Sequence, residues 1–101
     1  MDADAAEERE RRIIDVLMTL QEGEVTTYGD IADVAGYPSN SRLVGRILAT
    51  TDVEVPWWRV VNAAGRLVPG HEREQTELLR EEDVIVRNGH VRAAPHGRFG
   101  A

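Results

Sequence analysis

Cysteine is absent from this chain of 101 residues, and only five of its side chains are aromatic. Without a thiol the chain can form no disulfide, no thiolate metal site and no cysteine nucleophile, and its composition is compatible with a reducing compartment. No apolar run approaches the roughly 18 residues of a membrane span, and the N-terminal residues are acidic rather than basic and apolar. We therefore expect neither a secretion signal nor a membrane partner, and we expect a cytoplasmic protein.

The length predicts one domain, and the net charge of −6 argues at first sight against a polyanionic partner. The acidic residues, however, are concentrated in residues 2–10 and 72–83. Arg42 and Arg46 are the only charged residues in the stretch 34–51. A local basic face is therefore available for phosphates, with binding that should weaken quickly as the salt concentration rises.

Three helices are predicted in the first half of the chain. After a disordered segment at residues 1–8, apolar residues at i, i+3, i+4 and i+7 from Ile13 to Leu20 indicate an amphipathic helix that Gly23 ends. A short second helix follows, with Thr26 or Thr27 as its cap and Gly36 as its stop. After a turn at residues 37–38, a capping serine, Ser39 or Ser41, opens a third helix. Two short helices joined by a tight turn predict a helix-turn-helix.

The second half of the chain predicts short strands around one charged helix. Residues 53–61 are rich in β-branched side chains, residues 62–65 form a turn, and residues 66–68 return as a strand, which makes a small wing. A charged helix is expected at residues 72–83, followed by a hairpin on Asn88-Gly89 and a disordered tail at residues 93–101. The prediction is one domain over residues 9–92, mainly α with short β-strands, of the winged helix-turn-helix type.

Three ordered motifs identify a family. They are residues 25–32 (VTTYGDIA), residues 38–45 (PSNSRLVG) and residues 56–62 (PWWRVVN), the last followed by Gly65-Arg66. Together they resemble the C-terminal domain of the O6-alkylguanine-DNA alkyltransferases, and more closely its alkyltransferase-like branch. In the alkyltransferases a cysteine follows the proline of the third motif, whereas the alkyltransferase-like proteins have the tryptophan that stands here as Trp57. Removing an alkyl group from guanine O6 needs a thiolate, and an indole cannot replace it.

The resemblance implies a monomer that binds O6-alkylguanine in double-stranded DNA by nucleotide flipping and flags it for nucleotide excision repair proteins. It implies no alkyl transfer and no cofactor. Tyr28 would crowd a phosphate and drive rotation of the nucleotide, and Arg42 would enter the base stack in its place. Arg46, Ser39 and Ser41 are further expected DNA contacts. The family binds the minor groove, where an alkyl group on the major-groove edge cannot be reached, so flipping is required.

The expected lesion pocket lies around the third motif. Trp57 would line it, and the backbone carbonyl of Val60 would accept a hydrogen bond from the guanine amine. Trp58 stands where the family has histidine, which should reshape the pocket and leave Glu82 without its usual partner. The loop at residues 68–71 departs from the family pattern, so the residue that covers the base stays open. The candidates for covering it are His71, Arg66 and Arg73, and Gly70 and His71 are expected, with Trp58, among the residues of the pocket.

Other functions and structural roles remain alternatives. The third helix fits a sequence-specific winged helix-turn-helix transcription regulator, and the acidic helix fits a scaffold that has lost DNA binding. The two tryptophans also suit core packing, and Arg59 is expected to form a buried ion pair with an acidic residue of the C-terminal helix. The three histidines have neither the spacing nor the companions of a metal site.

Overall fold

The computed structural model describes residues 3–100, in which short strands connect a mainly helical chain, as predicted. The helices are α1 (Ala3–Leu17), α2 (Tyr28–Ala35), α3 (Ser41–Thr50) and α4 (Glu72–Glu81). The strands are β1 (Glu24–Thr27), β2 (Val60–Val61), β3 (Ile85–Arg87), β4 (His90–Ala93) and β5 (His96–Gly97), and one 3₁₀ turn (Trp57–Arg59) precedes β2. Within this range, none of the helices has the length and apolar character that crossing a membrane requires.

Two apolar clusters form the core on either side of β1 and β2. The helical cluster packs α1, α2 and α3 together and contains Ile13, Leu17, Leu20, Ile31, Ala32, Ala35, Leu43, Val44, Ile47, Val55 and Val60. The strand cluster packs α4 against the strands and contains Val25, Val61, Leu67, Leu79, Val84, Val86, Val91 and Ala94. Successive strand residues point to opposite faces, so Val60 joins the first cluster and Val61 the second.

Helix α1 begins at Ala3, so the prediction of a disordered N-terminus is wrong for residues 3–8, while residues 1 and 2 lie outside the described part. Alanine has the highest helix propensity, and Asp4 in the first turn complements the helix dipole. A Glu8–Arg11 ion pair adds local support. The helix ends at Leu17 rather than at Gly23, and Gly23, at φ 82°, forms the turn that enters β1.

Helices α2 and α3 form the predicted helix-turn-helix. Thr27 caps α2 by accepting a hydrogen bond from the Asp30 N–H, and Gly36 ends it in the left-handed conformation. The predicted serine cap of α3 is wrong, because Ser39 lies in the turn at φ 66° and Asn40 occupies the cap position. Ser41 is the first residue of the helix. Ser39 is therefore part of the tight turn and is not available as the cap that the sequence pattern predicts.

The predicted wing is wrong beyond its turn. The turn at residues 62–65 forms, with the Asn62 side-chain oxygen accepting the N–H groups of Ala64 and Arg66. Strand β2 pairs in parallel with β1, however, and Arg66 makes only an isolated bridge to His90. After this turn the chain leaves β2 and runs toward the hairpin β3–β4, where Arg66 bridges His90. That hairpin forms on Asn88-Gly89 as predicted, with φ positive at both residues.

The C-terminal segment is ordered into the sheet, so the prediction of a disordered tail is wrong for residues 93–100, while residue 101 lies outside the described part. Strand β5 pairs in parallel with β1, which gives the strand order β2-β1-β5. The His96 N–H donates to the Gly23 carbonyl at 3.0 Å. Phe99 packs against the strand cluster. The segment covers the edge of β1 that β2 leaves open, which satisfies backbone groups that an exposed edge would leave unpaired.

Candidate nucleic-acid interface

A cavity of about 400 Å³ opens between α3, the 3₁₀ turn and the start of α4, and we call it the base cavity. Its walls are mainly apolar and include flat aromatic rings, which suits a planar heterocycle. The lining residues are Tyr28, Gly45, Leu48, Ala49, Trp57, Val68, His71 and Glu74. The structure thus brings together three residues that the sequence singled out, from three separate parts of the chain.

Trp57 is the first residue of the 3₁₀ turn and is half-buried, packing against the helical cluster. Its ring meets His71 edge to face, with centroids 5.8 Å apart. It also meets Trp58 at 90°, with centroids 6.3 Å apart. Edge contacts on two sides hold the indole in one orientation while part of it borders the base cavity.

Trp58 does not line the base cavity, because its ring packs against the strand cluster. Its Nε1–H donates to a Glu82 carboxylate oxygen at 2.8 Å, and the Arg59 guanidinium lies 5.2 Å from the ring centroid. Glu82 therefore lacks the histidine partner of the family, as predicted, but Trp58 takes the place of that partner. An indole N–H and a histidine N–H are both donors, so the tryptophan supplies this hydrogen bond itself.

Glu82 caps the end of α4 and accepts hydrogen bonds from three residues in two parts of the chain. Besides Trp58, they are the Gly23 N–H at 2.8 Å and the Arg59 guanidinium, whose Nε and Nη2 donate to both oxygens. Arg59 also donates to the Leu20 carbonyl at 2.9 Å. The predicted ion pair of Arg59 is thus confirmed. Burial by itself raises the pKa of the Glu82 carboxyl, but these hydrogen bonds outweigh it and hold that pKa below its ordinary value.

Val60 and Gly70 also lie outside the lining of the base cavity. Val60 is fully buried, and its carbonyl accepts a hydrogen bond from the Gln75 amide at 3.3 Å. Gln75 donates to the Trp58 carbonyl as well and accepts from the Val68 N–H at 2.8 Å. It therefore ties the third motif to the loop above the cavity. Gly70, at φ 87°, lies in the exposed turn before α4.

Tyr28 is the first residue of α2 and borders two cavities. The second, of about 350 Å³, is called the strand-end cavity here, and it is lined by Thr27, Tyr28, Gly29, Asp30, Asp33, Ser41, Asn62, Ala63 and Arg98. Burial raises the pKa of the Tyr28 phenol, so the group stays protonated at neutral pH. A neutral phenol can donate a hydrogen bond to a phosphate without adding negative charge.

Arg42 and Arg46 lie on the exposed face of α3. Neither guanidinium forms an ion pair or a hydrogen bond within residues 3–100. Ser41 lines the strand-end cavity, and Ser39 is exposed in the turn before it. The face of the predicted recognition helix therefore presents two cations and hydroxyl groups that the protein itself leaves available.

Several cavity residues were missed from the sequence. Gly45 and Ala49 lie one turn apart on α3, and a Cβ on Gly45 would meet no atom within 4 Å. Their small size leaves the space that the base cavity occupies, and small residues at i and i+4 on a helix are the available signal. Gln75 was missed too, although it lies one turn before the buried Leu79 on a polar helix.

Comparisons with known proteins agree on one family. The profile of the 6-O-methylguanine DNA methyltransferase DNA-binding domain matches residues 8–84. The chain is 35% identical over 86 residues to the DNA base-flipping protein of Escherichia coli, covering 80% of this chain and 67% of that protein. It is 35% identical over 81 residues to alkyltransferase-like protein 1 of Schizosaccharomyces pombe, covering 74% of this chain and 75% of that protein.

A solved structure supports the same assignment. The crystal structure of S. pombe Atl1 in complex with damaged DNA containing O6-carboxymethylguanine superposes with a TM-score of 0.73 at 32% sequence identity. The match covers 86% of this chain and 83% of the other. The predicted resemblance is therefore confirmed. The chain belongs to the family of the 6-O-methylguanine DNA methyltransferase DNA-binding domain, as a member of its alkyltransferase-like branch.

Proposed function

We propose that this protein binds O6-alkylguanine in duplex DNA by rotating the damaged nucleotide into the base cavity, without transferring the alkyl group. The observation that carries the proposal is Trp57. An indole forms the wall of a cavity that lies next to the recognition helix, in a chain that contains no cysteine. A flat indole can pack against a flipped base, but it offers no ionisable nucleophile.

Flipping needs a force on the nucleotide and a substitute for the base that leaves. Extruding a base from the stack costs a few kcal/mol. Tyr28 lies between the two cavities at the start of α2, where its protonated phenol can press on a backbone phosphate. Arg42 has a free planar guanidinium on the exposed face of α3, and this group can stack and hydrogen-bond in the space that the base vacates.

Recognition of the guanine amine needs a hydrogen-bond acceptor near the third motif. The proposed acceptor is the Val60 carbonyl, which is fully buried, does not line the base cavity in the unbound protein and already accepts a hydrogen bond from Gln75, so the base reaches it only if the cavity wall shifts on binding. A carbonyl oxygen has two lone pairs, so a second donor is compatible with this arrangement. The Val68 N–H is held by Gln75 in the same network, which fixes the loop above the cavity. His71 follows that loop and contacts Trp57, and we propose it as the residue that covers the base.

A protein that binds a lesion and leaves it chemically intact must pass it to other proteins. We propose that nucleotide excision repair proteins receive it, and that this protein acts as a cytoplasmic monomer that associates with the nucleoid when bound to DNA. The absence of a nucleophile supports the need for a partner, since nothing in the chain can reverse the alkylation.

A competition titration tests the function. A duplex with a single O6-methylguanine should compete for the protein better than the same duplex with guanine. Arg42→Ala should weaken binding more than the matched change Arg46→Ala, because the first loses the base substitute and the second only a phosphate contact. Equal affinity for the two duplexes would rule out the proposal. A defined consensus selected from unmodified duplexes would support the sequence-specific regulator instead.

The chemistry has a separate test. After incubation with an oligonucleotide whose alkyl group is radiolabelled, all label should remain on the DNA. Label on the protein would show that an alkyl transfer occurs despite the missing thiol, and the non-enzymatic part of the proposal would then fail.

A further inference from the structure

The last 18 residues of the chain, 84–101, differ in charge from the rest of this acidic protein. Residues 84–101 contain no acidic residue and three arginines, in a chain of net charge −6. The family profile ends at residue 84, so residues 85–101 lie beyond the matched region. We propose that Arg98 belongs to the DNA-contacting surface, where it neutralises Asp30 and donates to a backbone phosphate. This inference rests on the proposed function for the identity of its partner.

Arg98 reaches across 68 residues of sequence to the start of α2. Its Nη1 donates to both carboxylate oxygens of Asp30, at 2.8 and 3.1 Å. About half of the Arg98 side chain is exposed (49%), and no other hydrogen bond of its guanidinium is present within residues 3–100. An arginine carries five N–H donors, so most of them remain available to a second anion.

The position of this pair puts it among the expected DNA contacts. Arg98 lines the strand-end cavity together with Tyr28 and Ser41, at the starts of the two helices of the helix-turn-helix. The other charged residues of that cavity are Asp30 and Asp33, and Arg98 is the one cation among its lining residues. Without Arg98, two carboxylates would face a phosphate backbone here and repel it.

The backbone of Arg98 is held in place on both sides. The Arg98 N–H donates to the Val25 carbonyl at 3.0 Å, as part of the parallel pairing of β5 with β1. Gly97, at φ 80°, comes so close to β1 that a Cβ would lie 2.6 Å from the Val25 carbonyl oxygen. On the other side, Phe99 is packed against the strand cluster. With its backbone fixed on both sides and its guanidinium already held by Asp30, the Arg98 side chain loses little entropy when it binds an anion.

A purely structural clasp is the competing explanation. An exposed ion pair contributes only about 0.2–1 kcal/mol to stability, so the pair alone is a weak fastening for the segment. The parallel strand pairing and Phe99 already hold the segment without it. The free donors of Arg98 and its place in the strand-end cavity favour a role in binding.

The test uses the full chain and four variants: R98A, D30N, the double variant D30N/R98A, and the control R92A. Arg92 is an exposed arginine of the same segment that does not line the cavity. R98A should weaken binding to methylated and plain duplexes by the same factor, on the order of tenfold, because each phosphate contact acts on any sequence. D30N should bind more tightly than wild type, and D30N/R98A more tightly than R98A. R92A should bind as wild type does.

Melting temperatures of all variants separate binding from folding. If R98A binds as tightly as wild type, or if D30N fails to improve binding in either background, the inference is overturned. A different outcome is that R98A loses DNA binding only to the extent that it loses folded protein, with no recovery in D30N/R98A. That result would support a purely structural ion pair and would overturn the inference as well. The ratio of affinities for methylated and plain duplex should stay constant in every variant. A wild-type ratio of one would mean that the proposed function has failed, not this inference.

Discussion

Two adjacent tryptophans in the 3₁₀ turn have different physical roles. Trp57 borders the base cavity, whereas Trp58 turns into the strand cluster and donates its N–H to Glu82. Their rings are perpendicular, so a change in one indole alters the support of the other. Trp58 therefore affects the cavity through the orientation of Trp57, rather than by touching a bound base.

Glu74 is the one carboxylate among the residues that line the base cavity, and it predicts a preference among lesions. An alkyl group that carries a carboxylate, such as carboxymethyl, would meet like charge there. At a separation of about 6 Å in a half-exposed site, this repulsion amounts to roughly 1 kcal/mol, or about fivefold in affinity. We expect O6-methylguanine to bind more tightly than O6-carboxymethylguanine, with E74Q narrowing the gap in a direct titration of both duplexes.

The matched control for this change is E77Q. Glu77 lies on the same helix and is exposed, but it does not line the base cavity. The substitution E77Q should leave the ratio of the affinities for O6-methylguanine and O6-carboxymethylguanine unchanged. If E74Q and E77Q give the same ratio as wild type, charge at position 74 does not select the lesion.

At the scale of elements, Glu82 joins the end of α4 to the 3₁₀ turn and to the entry of β1. Its folded pKa lies below its ordinary value of about 4.5. The unfolded chain therefore takes up this proton at a higher pH than the folded protein does. The stabilisation is fully present above the ordinary pKa and is lost as the pH falls through the folded one. We expect the free energy of unfolding to drop in this acid range.

E82Q tests this element-level connection. At neutral pH it should destabilise the protein by about 3 kcal/mol, because Arg59 loses its buried counter-charge. The difference from wild type should shrink as the pH falls below the ordinary pKa and through the lower folded pKa of Glu82, because the wild-type carboxyl then becomes protonated too. Denaturant unfolding across this range measures it, with the exposed neighbour E81Q as control. Parallel pH curves for E82Q and wild type would contradict the assignment.

The elements also show which features the sequence predicts and which it does not. Helices α1 and α3 follow from apolar spacing and α4 from its run of charged residues, while α2, with its cap Thr27 and its stop Gly36, and the hairpin turn follow from local chemistry. Strands β2 and β5 have two residues each, too few for any period, and their partner β1 is distant in sequence. Pairings of that kind depend on the folded core, so the wing and the tail were predicted wrongly.

The site shows the same division. The motifs point to Tyr28, Arg42 and Trp57 because these residues stand at fixed offsets within short segments. The side chain of Gln75 bonds to residues 7 to 17 positions away and that of Glu82 to residues 23 to 59 positions away, so no local pattern shows these contacts. The cavity itself is a property of the packing between α3, the 3₁₀ turn and α4. Sequence motifs therefore point to the residues that are proposed to contact DNA, whereas the residues that hold them in position are found only in the structure.

For the whole molecule, the question is how a protein of net charge −6 binds a polyanion. Half of the acidic residues lie on α1 and α4, while Arg42, Arg46 and Arg98 lie at the helix-turn-helix. Arg42 is proposed to pair with a base, which leaves two arginines for phosphates. Because each phosphate contact releases bound counterions, the logarithm of affinity should fall with the logarithm of salt at a slope of about −2.

That slope predicts a roughly tenfold weaker affinity when salt rises from about 50 to about 200 mM. Arg46→Ala should bring the slope to about −1, whereas Arg42→Ala should weaken binding with little change of slope, because its contact is with a base rather than a phosphate. The proposed preference for the alkylated duplex arises from uncharged contacts in the base cavity, which salt screens little, so it should persist across the series. Titrations of both duplexes at several salt concentrations measure the two quantities together. A slope near zero would mean that phosphates do not contribute to binding, and a preference that disappears with salt would place lesion recognition on the charged surface instead of in the cavity.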